Sequence, residues 1–129
     1  MRRDMKILMR TLFIGLVLLG ASCSVLIPKE TRYLESAQDR ATQEEVRKKF
    51  GQPKYTAATP TGEPVLVYQF MWQDPSNQNS WGAPGTWCDE YVLTFDRQDI
   101  LRNWTHKSEG HGGELSPTYC VTGGFKPAP

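Results

Sequence analysis

The chain has 129 residues, 22% of them charged and 39% hydrophobic, which allows one modest domain and excludes both a disordered polymer and a large multidomain enzyme. Its formal net charge of +1 conceals an asymmetry: residues 1–22 carry Arg2, Arg3, Lys6 and Arg10 against Asp4, while the rest carries 11 basic and 13 acidic side chains. A mildly acidic body offers no clustered cations to a phosphate backbone, so no nucleic-acid partner is expected.

Residues 1–22 read as a secretory signal. A positive segment up to Arg10 precedes the apolar run Leu12 to Leu19, and the small residues Gly20-Ala21-Ser22 follow. Crossing a bilayer takes ~20 apolar residues in a helix, so this run is too short for a permanent span. Next comes Cys23, and Leu19-Gly20-Ala21-Ser22-Cys23 resembles a bacterial lipobox, with Gly20 where Leu is commoner. The resemblance implies cleavage before Cys23 and transfer of a diacylglyceryl group to its sulfur, palmitate among the acyl chains. Several chains, at ~0.8 kcal/mol per buried methylene, anchor stably where one does not. Arg2-Arg3 partly matches a twin-arginine signal, and Met5 serves equally well as a start. Ser24 after the cysteine points, by bacterial sorting rules, to the outer membrane, with the body on the periplasmic face. Residues 23–31 are expected to form the acylated cysteine and its tether.

Three cysteines are an awkward number in an oxidising compartment. Acylation of Cys23 leaves Cys88 and Cys120, for which a disulfide is expected. Closing a loop of about 33 residues contributes roughly 3–4 kcal/mol in the chain-entropy model. A metal site built from Cys88, Cys120, His106 and His111 lacks any paired ligand spacing, so no metal or other cofactor is expected.

Thr31 to Arg40 is predicted to make a turn or two of helix, with Leu34 and Ala37 on one side. Thr42 to Gly51 is the strongest helix signal. Thr42 and Glu45 form a capping box, Glu44 and Glu45 sit at the positive end of the dipole, and Arg47, Lys48 and Lys49 sit at the negative end. Gly51 and Pro53 end it, and Val46 with Phe50 forms the buried stripe. Strands are predicted at Tyr55–Ala58, at 65–72 with Leu66, Tyr68, Phe70 and Trp72 on one face, at 86–95 with Tyr91, Leu93 and Phe95 inward, and at 100–105. Between the second and third lies Gln73 to Gly85, a polar loop of about 13 residues, long for a hairpin and so a candidate for function. Residues 108–129 are Gly-, Pro- and Ser-rich and are expected to form an irregular tail held by Cys120.

The pattern Thr42-x-x-x-Val46-x-x-x-x-Gly51-x-Pro53, a Tyr-containing strand, and then Leu93-Thr94-Phe95-Asp96 resembles the SmpA/OmlA family. These are small outer-membrane lipoproteins related to the BamE component of the β-barrel assembly machinery. The family's Gly two residues before the capping Thr is Arg40 here. The resemblance spans about residues 32–105 and implies an α+β domain over residues 32–107. One or two N-terminal helices would pack on a three- to four-stranded antiparallel sheet. It also implies barrel-assembly proteins as partners, met through a sheet edge and the 73–85 loop. Inhibitor proteins of β-lactamase-inhibitor-like fold share the helix-then-sheet order. That leaves an alternative: a lipoprotein acting on a secreted enzyme or on cell-wall glycan.

No catalytic constellation is legible. Asp89 and Glu90 are strand neighbours and so point to opposite faces, while Asp96 and Asp99 bracket a turn. His106 and His111 lie near no activated nucleophile, and the chain is expected not to be an enzyme. Four tryptophans are many for so small a core, and Trp81, Trp72 and Trp87 are the candidates for partner binding. Trp81, among Asn79, Ser80 and Gly82, is expected to be the most exposed, unless its loop folds back to cap the sheet.

Overall fold

The computed structural model describes residues 27–74, 85–114 and 116–128. The expected signal segment, Cys23 and Trp81 lie outside them. The chain divides into two compact units, Met1–Arg32 and Tyr33–Pro129. Of the first, the described residues 27–32 form little more than the opening turn of helix α1, Lys29–Ala37, where Arg32 N–H donates to the Pro28 carbonyl. Helical structure therefore begins within the stretch expected to be tether, and it stops short of Arg40. Asp39, at φ 62°, leaves the helical conformation, and its N–H pairs with the Leu101 carbonyl instead.

Helix α2, Gln43–Phe50, starts as its sequence dictates. Thr42 Oγ1 accepts the Glu45 N–H at 3.3 Å, and Glu45 Oε2 accepts the Thr42 N–H at 2.8 Å, so two otherwise orphaned donors are satisfied. Gly51 ends it at φ 83°, a conformation that a side chain would strain.

Four strands follow: β1 Tyr55–Ala58, β2 Pro64–Asp74, β3 Gly85–Phe95 and β4 Leu101–Gly110. They pair antiparallel in sequence order. The fold is α+β, with two helices and one four-stranded sheet. Two expected boundaries are corrected. The 73–85 loop loses Gln73 and Asp74 to β2 and Gly85 to β3, because Gln73 pairs with Thr86 and Asp74 with Gly85. The last strand, expected over 100–105, runs to Gly110, as Lys107 to Gly110 pair with Glu90 to Trp87. Ser108, Glu109 and Gly110 are poor strand formers. Pairing prevails because the backbone groups of Cys88 and Glu90 need partners once the hairpin forms.

One sheet face carries the main core. Leu66, Tyr68, Tyr91, Leu93, Phe95 and Leu101 are buried with Leu34, Ala37, Ala41 and Val46. Phe50 meets the rings of Tyr33, Tyr68 and Phe70 edge-on, at centroid distances of 5.2, 5.3 and 5.6 Å. The Tyr68 hydroxyl donates to the Gly51 carbonyl at 3.0 Å, which fixes the end of α2 to the sheet. Burial pushes the Tyr68 phenol pKa up.

On the opposite face Val65 and Val67 of β2 and Cys88 of β3 are buried as well. The described residues after Gly110 form no helix or strand, and they fold back as a strap. Cys120 is bonded to Cys88 with Cα atoms 5.3 Å apart, and Val121 completes that small cluster. Glu109 accepts from the N–H and hydroxyl of Thr122, Lys107 Nζ donates to the Gly123 carbonyl, and the Phe125 ring lies 5.8 Å from that of Tyr55. His111 Nε2 donates to the Cys120 carbonyl at 2.6 Å.

Candidate partner-contact site

The helices cover the end of the sheet that holds Leu66 and Leu93, and their reach ends at Phe70. Beyond it the β2–β3 hairpin continues, and the same face carries Trp72 paired across to Trp87. These residues are 48% and 41% exposed. Their rings stack at 5.8 Å between centroids with 15° between planes. Such a pair presents a large, stiff apolar surface at low entropic cost, as in the centres of protein interfaces.

Asp89 holds the pair in place. It lies two residues from Trp87 on the same face, and Trp72 Nε1 donates diagonally across the hairpin to its Oδ2 at 3.0 Å. With the proton on Nε2, His106 donates to the other oxygen at 2.8 Å. The His106 ring lies flat on Tyr91, centroids 4.3 Å apart and planes within 6°. One mostly buried carboxylate thereby ties β2, β3 and β4 together. Gly110 of β4 lies opposite Trp87. A Cβ there would sit 2.9 Å from the indole, so only glycine lets that ring lie across β4.

Of the expected candidates, Trp72 and Trp87 come together. The fourth tryptophan, Trp104, is partly buried against the main core and faces the Tyr91 ring at 6.5 Å. Asp89 and Glu90 do point to opposite faces, the former to the tryptophans and the latter to the strap. Asp96 is a turn residue: its Oδ1 accepts the N–H groups of Gln98 and Ile100, and its Oδ2 the Arg102 Nε. The Ile100 N–H first, then the Arg102 guanidinium, holds the Asp96 carboxyl below the usual range. Nothing local in the sequence marks Asp89, His106 and Gly110 as neighbours of the tryptophans. Strand alternation carries the signal, since residues 87, 89 and 91 share a face.

Among the described residues no cluster of three or more His, Cys, Asp or Glu side chains is arranged to hold a metal, and no helix is long and apolar enough to cross a membrane. No protein-family model, curated protein or solved structure matches the chain.

Proposed function

We propose that the protein is a lipid-anchored, non-enzymatic component of the bacterial envelope, held at the periplasmic face of the outer membrane by Cys23. It supports outer-membrane assembly or integrity through protein–protein contacts. The observation that carries this reading is the half-exposed Trp72–Trp87 pair, held by Asp89 beyond the reach of the helices. The lipobox-like Leu19 to Cys23 and the likeness of residues 32–105 to the SmpA/OmlA pattern support the location and name barrel-assembly proteins as the partners. A photo-crosslinker placed at residue 72 in cells should recover barrel-assembly subunits, and deletion should weaken the permeability barrier. Cys23→Ser should release the protein into the soluble periplasm.

A second reading rests on the same pair. Two nearly parallel indoles also form a stacking platform for a sugar ring or a plug for an enzyme cleft, as an inhibitor or ligand-binding lipoprotein would use. Capture of one secreted hydrolase, or of cell-wall glycan, with the barrier intact in the deletion strain would establish that reading and remove the first.

A further inference from the structure

The side of β2 away from β3 is only partly covered. Strand β1 pairs with Pro64 to Val67 alone, although β2 continues to Asp74. The direction of the uncovered peptide groups follows from two sets of bonds. The Val67 carbonyl accepts the Lys54 N–H at 2.8 Å, so the odd-numbered residues of β2 turn their backbone groups toward β1. On β3, Thr86 bonds to Gly112 and His111 on the β4 side, which leaves the odd-numbered residues of β3 for the even-numbered ones of β2. Gln69, Met71 and Gln73 therefore aim their N–H and C=O groups outward. Among the described residues, no strand or backbone hydrogen bond meets them there.

Beside this edge, on the strap side, runs a groove of about 740 Å³ lined by Lys54, Gln69, Met71, Tyr119, Phe125 and Lys126 among others. Met71 and Tyr119 are half-exposed apolar side chains within it. Glu90 also lines the groove, but its two oxygens already accept from Gln69 Nε2 and the Phe125 N–H. Lys54 and Lys126 form no ion pair among the described residues, and with the Glu90 carboxylate counted against them the lining still carries an excess of positive charge.

We propose that the β2 edge at Gln69, Met71 and Gln73 is a strand-addition site for an acidic, extended peptide segment of a partner protein. The edge offers alternate backbone donors and acceptors over about 14 Å, enough for a strand of five residues. The groove takes the side chains on one face of that strand, apolar ones on Met71 and Tyr119 and carboxylates near the two lysines. Electrostatic complementarity to Lys54 and Lys126 favours an acidic partner segment as the occupant. The site lies on the opposite face from the tryptophan pair and does not depend on the reading above.

Labelled hexapeptides alternating Glu and Val test this by fluorescence anisotropy with the full-length protein, alongside Lys-Val peptides and Glu-Val peptides N-methylated at alternate residues. The Glu-Val peptide should bind, more weakly as salt rises. The other two should bind at least about tenfold more weakly, the first through charge and the second through lost ladder bonds. Proline is tolerated at outward-facing edge positions, so Met71→Pro should keep the fold and lose binding. Lys54→Glu with Lys126→Glu is a second variant that leaves the ladder intact, and it should reverse the preference between Glu-Val and Lys-Val peptides. Equal binding of the N-methylated peptide, no binding of Glu-Val up to millimolar concentration, or a dimer that Met71→Pro abolishes would each overturn the proposal. The last would identify a second copy as the occupant.

Discussion

The carboxylate of Glu90 accepts the backbone N–H of Phe125 at 2.8 Å, tying the middle of β3 to a residue 35 positions further along the chain. Its other oxygen accepts Gln69 Nε2 at 2.8 Å, and the side chain is buried. The contact needs Gly124 beside it, where a Cβ would lie 2.9 Å from Glu90 Oε1. Glu90→Gln keeps the shape but turns an amide N–H₂ toward one of two donors, so one buried donor loses its acceptor. The expected cost is about 1–3 kcal/mol, read from urea denaturation.

The strap's covalent tie should matter more. Replacing Cys88 and Cys120 together by Ala removes a crosslink between residues 32 positions apart and should cost roughly 3–4 kcal/mol. In the wild type, thiol titration of denatured, unreduced protein should find no free sulfhydryl from either residue. Two reactive thiols would show that the bond does not form in the cell.

Helix α2 was fully legible because its capping box, dipole charges and Gly51 terminator are local signals within ten residues. The core face of β2 and β3 was legible for a similar reason, since strand alternation marks it directly. The strap was not. Its contacts join residues with no periodic pattern to residues far back in the chain, as Thr122 to Glu109 and Phe125 to Glu90 show. The tryptophan site was half legible. Its aromatic residues stood out by number, but the pairing of Trp72 with Trp87 depends on the hairpin register, which the sequence does not state when the connecting loop is long.

Val46 tests the helix–sheet contact. It is fully buried in the main core among Leu34, Leu66 and Leu93. Val46→Asp would bury a carboxylate with no partner, a cost comparable to the whole stability of a small domain. The variant should show no cooperative thermal transition by circular dichroism. A melt like that of the wild type would mean that α2 does not pack on the sheet.

Acid should weaken the turn between β3 and β4. The Asp96 carboxyl is held below its ordinary value by the Ile100 N–H and the Arg102 guanidinium, so the unfolded chain binds the proton more tightly than the folded one. The resulting stabilisation is complete above the unfolded Asp value of about 3.9 and disappears as pH falls through the lower folded value. Glu109, whose carboxyl is held down chiefly by the Thr122 N–H, behaves in the same sense. Stability measured from pH 6 downward should therefore fall below about pH 4, and Asp96→Asn should flatten part of that fall. An unchanged slope in the variant would assign the acid sensitivity to other carboxylates.

Asp89 is the sharpest test of the proposed partner-contact site, because it bonds Trp72 without being exposed as the tryptophans are. Its Oδ2 fixes the Trp72 indole and its Oδ1 fixes His106, so Asp89→Ala should release both rings while leaving every apolar contact of the main core in place. The stability cost should be modest, about 1–2 kcal/mol. The spectroscopic effect should be large. Two indoles stacked at 15° couple their transitions and give an exciton couplet in the far-ultraviolet circular dichroism spectrum, which Trp72→Phe must abolish. Asp89→Ala should reduce that couplet and, with it, crosslinking to the partner from a neighbouring exposed position, while the thermal transition stays cooperative. A couplet of full strength in Asp89→Ala would mean that the rings hold each other and the carboxylate is dispensable. Full crosslinking without the couplet would mean that the partner does not use the stacked pair.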